Sequence, residues 1–488
     1  MFRADIAGQP VVIKEFTPLR LRRWLRSYAA TEADNALAVR ARGVAVVEPL
    51  AVARLADGRQ LVVLREEKGA LSLHHLVLAG GLSGRARHDL ARRVGELFAH
   101  MLNAGIRAKD PHAGNVLVRP DGSVLLADAW DLRPGDYLSP DERASALARF
   151  GLFFLTHGTA VDRLLFWGAY GRAAKSTPEE LEDLRLRVLA RIPEAFSRLS
   201  RIRARKRHRT ARKVEALGFS GLLFEPLDPA LLEEAARFSA HVEEGPRVLK
   251  KSPTAWTFAL GEDYVAKVFL PKKATRPLRD LFCGTRAERA LFAEEALFHR
   301  GFKAPAVVAA LRDRDVPGRS LLVMRRAKDA VPIEEAIERL RPREAREAAC
   351  RLGRALRRMH DRGLRHRDLK KDNVVVAADG EFVFLDLDGV RQRRRTVAWE
   401  RRAEDLARLA GSLLDLGRVP TGLRLRALDA YLGGGTPPGF PPGGFARLVI
   451  RLSGEVRARR LAAAPGTAAP ARGAAPSTPS GPAPEAPS

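Results

Sequence analysis

Asp368 and Asn373 stand five residues apart in the stretch Leu364-Arg-His-Arg-Asp-Leu-Lys-Lys-Asp-Asn-Val-Val-Val376, and a second acidic turn opens at Asp386 in Phe382-Val-Phe-Leu-Asp-Leu-Asp-Gly-Val390. These residue types at this spacing suit phosphoryl transfer to a hydroxyl. A carboxylate accepts the hydroxyl's proton, and Mg2+ needs hard oxygen ligands while it bridges the phosphates of ATP. The pattern H-R-D-x-x-x-x-N supplies the carboxylate as Asp368 and one metal ligand as Asn373. Asp386 lies 18 residues after Asp368 (386 − 368), room for a short strand, a turn at Ala378-Asp-Gly380 and a second strand. Such a hairpin sets Asn373 and Asp386 side by side at one metal site, next to Asp368. Lys370, two residues past Asp368, is placed to neutralise the transferring phosphoryl group. The plainer reading, a solvated and charged β-hairpin, does not account for five matched positions.

The arrangement occurs twice. In the first half, Ala108-Lys-Asp-Pro-His-Ala-Gly-Asn-Val-Leu-Val118 precedes Val124-Leu-Leu-Ala-Asp-Ala-Trp130, with Asp110 and Asn115 again five apart and Asp128 again 18 residues on (128 − 110). The elements that must position these residues also repeat. Amphipathic segments run from Leu90 to Leu102 and from Ala345 to Met359, with the periodicity of helices that bury one face. Upstream lie two short apolar runs, Gln60-Leu-Val-Val-Leu64 and Ser320-Leu-Leu-Val-Met324, suited to buried strands that lead to a hinge. Each half also has a lysine on an alternating strand, Lys14 in Val11-Val-Ile-Lys-Glu-Phe16 and Lys267 in Tyr264-Val-Ala-Lys-Val-Phe269. A tandem duplication follows from this order.

On these residues the chain resembles the lipopolysaccharide kinases, which phosphorylate Kdo or core heptose sugars and share the protein-kinase-like fold. The second half carries the stronger likeness. Val248-Leu-Lys-Lys-Ser-Pro-Thr254 is followed by Trp256-Thr-Phe258, a turn at Gly261-Glu-Asp263, the Lys267 strand, the basic segment from Pro271 to Phe282 and a helix leading to Gly301-Phe-Lys-Ala-Pro305. The first half is similar through Glu32-Ala-Asp-Asn-Ala-Leu37 and Gly43-Val-Ala-Val-Val-Glu-Pro-Leu50. Its Asp-x-His-x-Gly-Asn loop also resembles those of antibiotic phosphotransferases and of certain atypical kinases.

The resemblance implies a fold of class α+β, with two tandem bilobal domains, each a small antiparallel-sheet lobe on a helical lobe. It implies ATP and Mg2+ as cofactors and a glycolipid or sugar as acceptor. In the second unit Asp368 and Lys370 are the expected catalytic residues, and Asn373 and Asp386 the metal ligands. Lys267 is expected to hold the α- and β-phosphates, with an acidic partner from the following helix. Counting back from Gly301, the usual glutamate position falls on Ala290, so Glu294, one turn later on the same face, is the expected partner. Lys250 and Lys251, in a covering hairpin without glycine, are expected phosphate contacts, and adenine is expected between apolar residues near Met324 to Ala327. In the first unit the same logic places Lys14 and Glu32 at the nucleotide, Asp110 as catalytic residue, and Asn115 and Asp128 at the metal. That unit departs from the pattern: it starts at the second strand, Ala108-Lys109 replaces His-Arg, and His112 replaces the lysine after the aspartate. It reads either as a degraded copy kept as a scaffold or as an active Asp-x-His-x-Gly-Asn enzyme.

Composition sets bounds around this. The chain has 488 residues, enough for two domains with cores of their own, and 46% hydrophobic residues. Two cysteines, Cys283 and Cys350, exclude a disulfide framework and a cysteine-rich metal site, and fit a reducing cytosol. The N-terminus does not read as a signal peptide, and no run of about 18 apolar residues exists to span a bilayer. A soluble, cytoplasmic protein is expected. The net charge is +27, and arginine greatly outnumbers lysine. The densest basic run is Arg198-Leu-Ser-Arg-Ile-Arg-Ala-Arg-Lys-Arg-His-Arg209. A coding bias or a solvated helix face accounts for such a run; so does peripheral attachment to an anionic inner membrane. Nucleic acid is disfavoured, because the run has no aromatic residue for base stacking.

The expected organisation is a kinase-like domain over 1–195 with a truncated small lobe, a basic and helical junction over 196–245, a catalytic kinase-like domain over 246–460 and a disordered Ala/Pro-rich tail over 461–488. A protein serine/threonine kinase is an alternative activity. Yet no activation segment ending in Ala-Pro-Glu follows Asp386, and the chain goes through Val390-Arg-Gln-Arg-Arg-Arg-Thr396 straight to a helix at Trp399. A membrane-associated pseudokinase scaffold is the non-enzymatic alternative, against which the complete set Asp368, Asn373 and Asp386 argues.

Overall fold

The two amphipathic segments are the helices Gly84–Asn103 and Pro342–Asp361. On the second, Ala345, Ala349, Leu352, Leu356 and Met359 are buried, a stripe at intervals of three and four residues, and the last three share a core with Leu364, Leu369 and Phe384. Each helix also carries a glycine inside it, a choice that costs about 1 kcal/mol relative to alanine in isolation. The reason is a neighbour. A Cβ at Gly353 would lie 2.0 Å from the Ala427 carbonyl oxygen of the helix Thr421–Leu432, and one at Gly95 would lie 2.4 Å from the Phe166 oxygen of the helix Ala160–Ala174. Close helix crossing fixes both positions as glycine.

The computed structural model describes residues 1–17, 27–80, 82–240, 248–271, 280, 284–414 and 419–462. The tail beyond Ala462, and most of the basic segment from Pro271 to Phe282, lie outside the described residues. Within them the fold is α+β, with small antiparallel sheets and helical lobes. The first unit opens with four antiparallel strands in the order Phe2–Ile6, Gln9–Phe16, Gln60–Arg65, Pro49–Arg54, backed by the helix Tyr28–Ala41. The second unit has the same order with one more strand at the near edge: Val248–Ser252, Ala255–Leu260, Tyr264–Phe269, Ser320–Arg325, Val307–Asp313. Its helix Arg286–Phe298 takes the place of Tyr28–Ala41.

Below each sheet lies the helical lobe, with a small hairpin and a second two-stranded pair that brackets it in sequence. The elements recur at a constant interval: 342 − 84, 364 − 106, 374 − 116 and 382 − 124 are all 258. Backbone hydrogen bonds recur with them. Ala127 N donates to Asn115 O and Leu385 N to Asn373 O, each at 2.9 Å, while Gly135 N donates to Gly105 O and Arg393 N to Gly363 O.

The segment between the units differs from the helical junction expected over 196–245. One helix, Pro178–Thr210, begins inside the first unit under a capping box of Thr177 and Glu180 and runs through the basic stretch. A β-hairpin, Arg212–Ala216 and Phe219–Leu223, then pairs with the free edge of Val307–Asp313 and extends the second unit's sheet to seven strands. The following helix Pro229–Ala240, with Asp228 Oδ1 accepting from Ala230 N, helps bury the outer face of that sheet through Leu232, Ala235 and Ala236. Alternating hydrophobicity was too weak in Arg212-Lys-Val-Glu-Ala to announce an edge strand.

Candidate active site

The candidate catalytic loop of the second unit is built by local backbone geometry and one buried ion pair. Strand Leu364–His366 pairs with Val390–Gln392, and the hairpin Val374–Val376 with Phe382–Phe384. Arg365 is buried, with its guanidinium Nε 3.0 and 3.1 Å from the two oxygens of Asp405, a fully buried carboxylate on the helix Trp399–Leu414. His366 Nε2 lies 2.7 Å from the Leu385 carbonyl. A carbonyl only accepts, so Nε2 carries the proton, and the backbone just ahead of Asp386 is tied to the loop.

These supports bring Asp368, Asn373, Asp386, Lys370 and Lys267 together. Asn373 Nδ2 donates to Asp368 O at 2.7 Å and to Asp368 Oδ2 at 3.1 Å, and Lys370 Nζ stands 2.8 Å from Asp368 Oδ2. Burial pushes the Asp368 carboxyl up, but Lys370 and Asn373 outweigh it and hold the group below its ordinary range. Lys267 Nζ is 2.6 Å from Asp386 Oδ1. Burial again raises and the adjacent ammonium lowers, leaving Asp386 ionised below the usual carboxylate range. Asp386 also sits in the left-handed region at φ 53°, ψ 65°. A residue with a Cβ pays about 1–2 kcal/mol there, and such strain persists where surrounding contacts over-determine a side chain's aim.

The residues fit a magnesium ion. With its Nδ2 engaged by Asp368, Asn373 keeps its amide oxygen as a hard donor, and Asp386 adds a carboxylate across the hairpin. Among the described residues no group of three or more His, Cys, Asp or Glu is placed to hold a metal. Two protein donors, with phosphate and water completing the shell, is how magnesium is ordinarily bound in phosphoryl transfer.

Two expectations are corrected here. Glu294 does not pair with Lys267. Its carboxylate lies 2.9 Å from Arg207 Nη1 of the linking helix and accepts from Val307 N at 3.1 Å. Burial raises it to about 7 despite that arginine. The helix face toward the lysine carries Arg286 instead, one turn before Ala290. Arg286 donates to Asp388 Oδ2 at 2.7 and 3.1 Å and stacks on the Phe269 ring at 4.3 Å. Arg286 and Asp388 were missed, although the four-residue step from 286 to 290 signals a shared face. The second correction concerns the paired lysines. Lys250 is opposite Thr257, itself opposite Lys267, so these share the face toward the cleft, and Lys250 Nζ reaches within 3.9 Å of Asp372. Lys251 points to the other face, where its ammonium lies over the Trp256 ring at 5.3 Å, because neighbours on a strand alternate.

In the first unit the lysine network is fuller. Lys14 Nζ is 2.8 Å from Glu32 Oε2 and 3.0 Å from Asp128 Oδ1. Burial pushes the Glu32 carboxyl up against the pull of Lys14. Asp110 and Asn115 flank one small cavity with Asp128, but His112 turns back to accept from Gly114 N at 3.1 Å rather than standing beside Asp110 as Lys370 stands beside Asp368. Asp128 is not among the residues with left-handed backbone. The first unit thus has the lysine and its helix glutamate; in the second, Asn373 and Lys370 both engage the loop aspartate.

Residues 268–424 match the Lipopolysaccharide kinase (Kdo/WaaP) family, a span that contains the helix Arg286–Phe298, the catalytic loop and Asp386. No curated protein matches the chain.

Proposed function

We propose that this chain, whose residues 268–424 belong to the lipopolysaccharide kinase (Kdo/WaaP) family of kinases, transfers the γ-phosphoryl group of ATP, with Mg2+, to a hydroxyl of a lipopolysaccharide core sugar or similar glycolipid. The observation that carries this reading is the convergence of Asp368, Asn373, Asp386 and Lys267 on one cleft, with Lys267 Nζ 2.6 Å from Asp386. Bound Mg2+ would neutralise phosphate charge, with Asp386 and Asn373 as its protein ligands. Lys267 would take up the phosphates of ATP once Asp386 is engaged by the metal. Asp368, kept ionised and oriented by Asn373, would accept the acceptor's proton, and Lys370 would offset charge that develops beside it.

A glycan acceptor, rather than a protein substrate, is supported by the segment after Asp386. Strand Val390–Gln392 is followed by the short stretch 393–398 and then the helix Trp399–Leu414, which leaves little chain to dock a peptide. The same reading divides the molecule into a first kinase-like unit, a junction and a catalytic second unit, descended from a duplication; the constant interval of 258 between matching elements supports it. Turnover is assigned to the second unit. The test is incubation with γ-labelled ATP and extracted envelope glycolipids, with a protein substrate as comparison. Label in the glycolipid fraction with wild type and not with Asp368→Asn supports the reading; label in protein alone overturns the acceptor class.

A further inference from the structure

Where the linking helix crosses between the units, a cleft of about 350 Å3 is lined by Arg149, Arg191, Arg198, Arg201, Arg205 and Arg394. Three parts of the fold build it: the helix Pro140–His157 of the first unit, the linking helix, and the stretch that follows Val390–Gln392 in the second. Ser197 Oγ donates to the Arg393 carbonyl at 2.9 Å and closes the cleft against the second unit. Glu194 is the one carboxylate among the lining residues.

Internal partners account for only part of this charge. Arg191 stands 3.0 Å from Asp141, and Arg149 Nη1 donates to the Lys109 carbonyl at 2.7 Å, next to Asp110. Burial, and then Arg198, push the Arg149 guanidinium below its ordinary value. Arg198, Arg201, Arg205 and Arg394 make no ion pair among the described residues. Like charges gathered in a concave site repel one another, and the arrangement is relieved by an anion that several guanidinium forks hold at once.

We propose that this inter-unit cleft binds a phosphate-bearing anion, bridging the linking helix to the segment that follows the second unit's Asp386. Planar forks matched to phosphate oxygens, and a volume in the range of small-ligand sites, define the ligand class: a phosphorylated sugar or a phosphorylated headgroup. The cleft shares no lining residue with Lys267, Asp368, Asn373 and Asp386 and does not depend on the assignment of the reaction.

The test uses the full chain and inorganic pyrophosphate, titrated calorimetrically without added metal. Arg198→Gln/Arg201→Gln/Arg394→Gln should weaken binding at least about tenfold, as expected for loss of several charge-assisted hydrogen bonds. Arg203→Gln/Lys206→Gln/Arg209→Gln removes as much charge from the linking helix outside the cleft, and should leave affinity within about twofold. Pyrophosphate should also raise the thermal midpoint of the wild type and not of the cleft variant, whose own midpoint reports that it is folded. Equal loss in both variants, or no binding by the wild type, overturns the proposal. A second arm uses phosphatidylcholine vesicles with and without phosphatidic acid. If the cleft variant loses these vesicles as well as pyrophosphate, the ligand is a lipid headgroup; if it loses pyrophosphate alone, the ligand is soluble.

Discussion

At the scale of single residues, the second unit concentrates ionised oxygen where phosphoryl transfer needs it. Asp368 has one role that no neighbour duplicates, since Asn373 and Lys370 both spend their hydrogen bonds on it. Asp368→Asn keeps the shape of the loop and removes the proposed base. Turnover should fall by roughly 10²–10⁴, with ATP affinity little changed, in a steady-state assay. Asp386→Ala should instead abolish Mg2+-dependent nucleotide binding measured by calorimetry, because it removes the carboxylate of the proposed metal site. Loss of phosphotransfer in Asp128→Ala together with full activity in Asp386→Ala would reverse the roles given to the two units.

At the scale of elements, the helix Arg286–Phe298 is held from outside the unit. Arg207 of the linking helix lies 2.9 Å from both Glu294 and Glu295. Because burial lifts Glu294 to about 7 from the ordinary carboxylate value of 4.5, its protonation favours the folded state. That contribution is fully present below about 4.5 and is lost as pH rises through about 7. Denaturant titrations of wild type and Glu294→Gln, compared across this window, should show the wild type losing stability relative to the variant as pH rises. Parallel curves would mean that Arg207 keeps Glu294 at an ordinary value. The end of the same helix has a second tie. Arg300 is fully buried and donates to the Arg362 carbonyl at 2.8 Å and to Ser197 and Ser200 of the linking helix, each at 3.1 Å. Arg300→Ala leaves a cavity and an orphaned carbonyl, and should cost about 3 kcal/mol or more.

At the scale of the whole molecule, these ties join the units. Arg362 Nη2 also donates to the Leu155 carbonyl of the first unit at 3.0 Å. The two units should therefore unfold in one transition, followed calorimetrically, and Arg300→Ala should lower that transition as a whole; two resolved transitions would show independent units. The proposed role of the basic surface belongs to this scale too. No helix among the described residues is long and apolar enough to cross a membrane. Exposed cations such as Arg203, Arg205, Lys206 and Arg209 are the groups that would meet an anionic surface. Arg207 does not belong to that set, being committed to two glutamates. Basic residues near an anionic surface contribute about 1 kcal/mol each. Sedimentation should show binding to anionic vesicles that fades steeply with salt, weakens further in Arg203→Gln/Lys206→Gln/Arg209→Gln, and is small with neutral vesicles. Equal partition to both kinds of vesicle would exclude this attachment.

What the sequence determined by itself was the arrangement of candidate residues whose geometry is local. The spacings between Asp368, Asn373 and Asp386 span one turn and one hairpin, so the backbone has few ways to arrange them. Their repetition around Asp110, Asn115 and Asp128 was legible for the same reason, as were the helices whose buried stripe recurs every three or four residues. The tertiary structure decided which partner each charge meets. Glu294 and Arg286 lie on one helix, and a rotation of that helix about its axis determines which faces Lys267. The rotation is set by packing against the linking helix, whose Arg207 is distant in sequence. Lys250 and Lys251 are chemically alike, and only strand pairing separates the face toward the cleft from the face toward Trp256. The hairpin Arg212–Leu223 was unreadable because an edge strand takes its hydrogen bonds, and most of its stability, from the sheet it joins. The arginine cleft is likewise assembled from two units and the helix between them, and no spacing along the chain brings Arg149, Arg198 and Arg394 together.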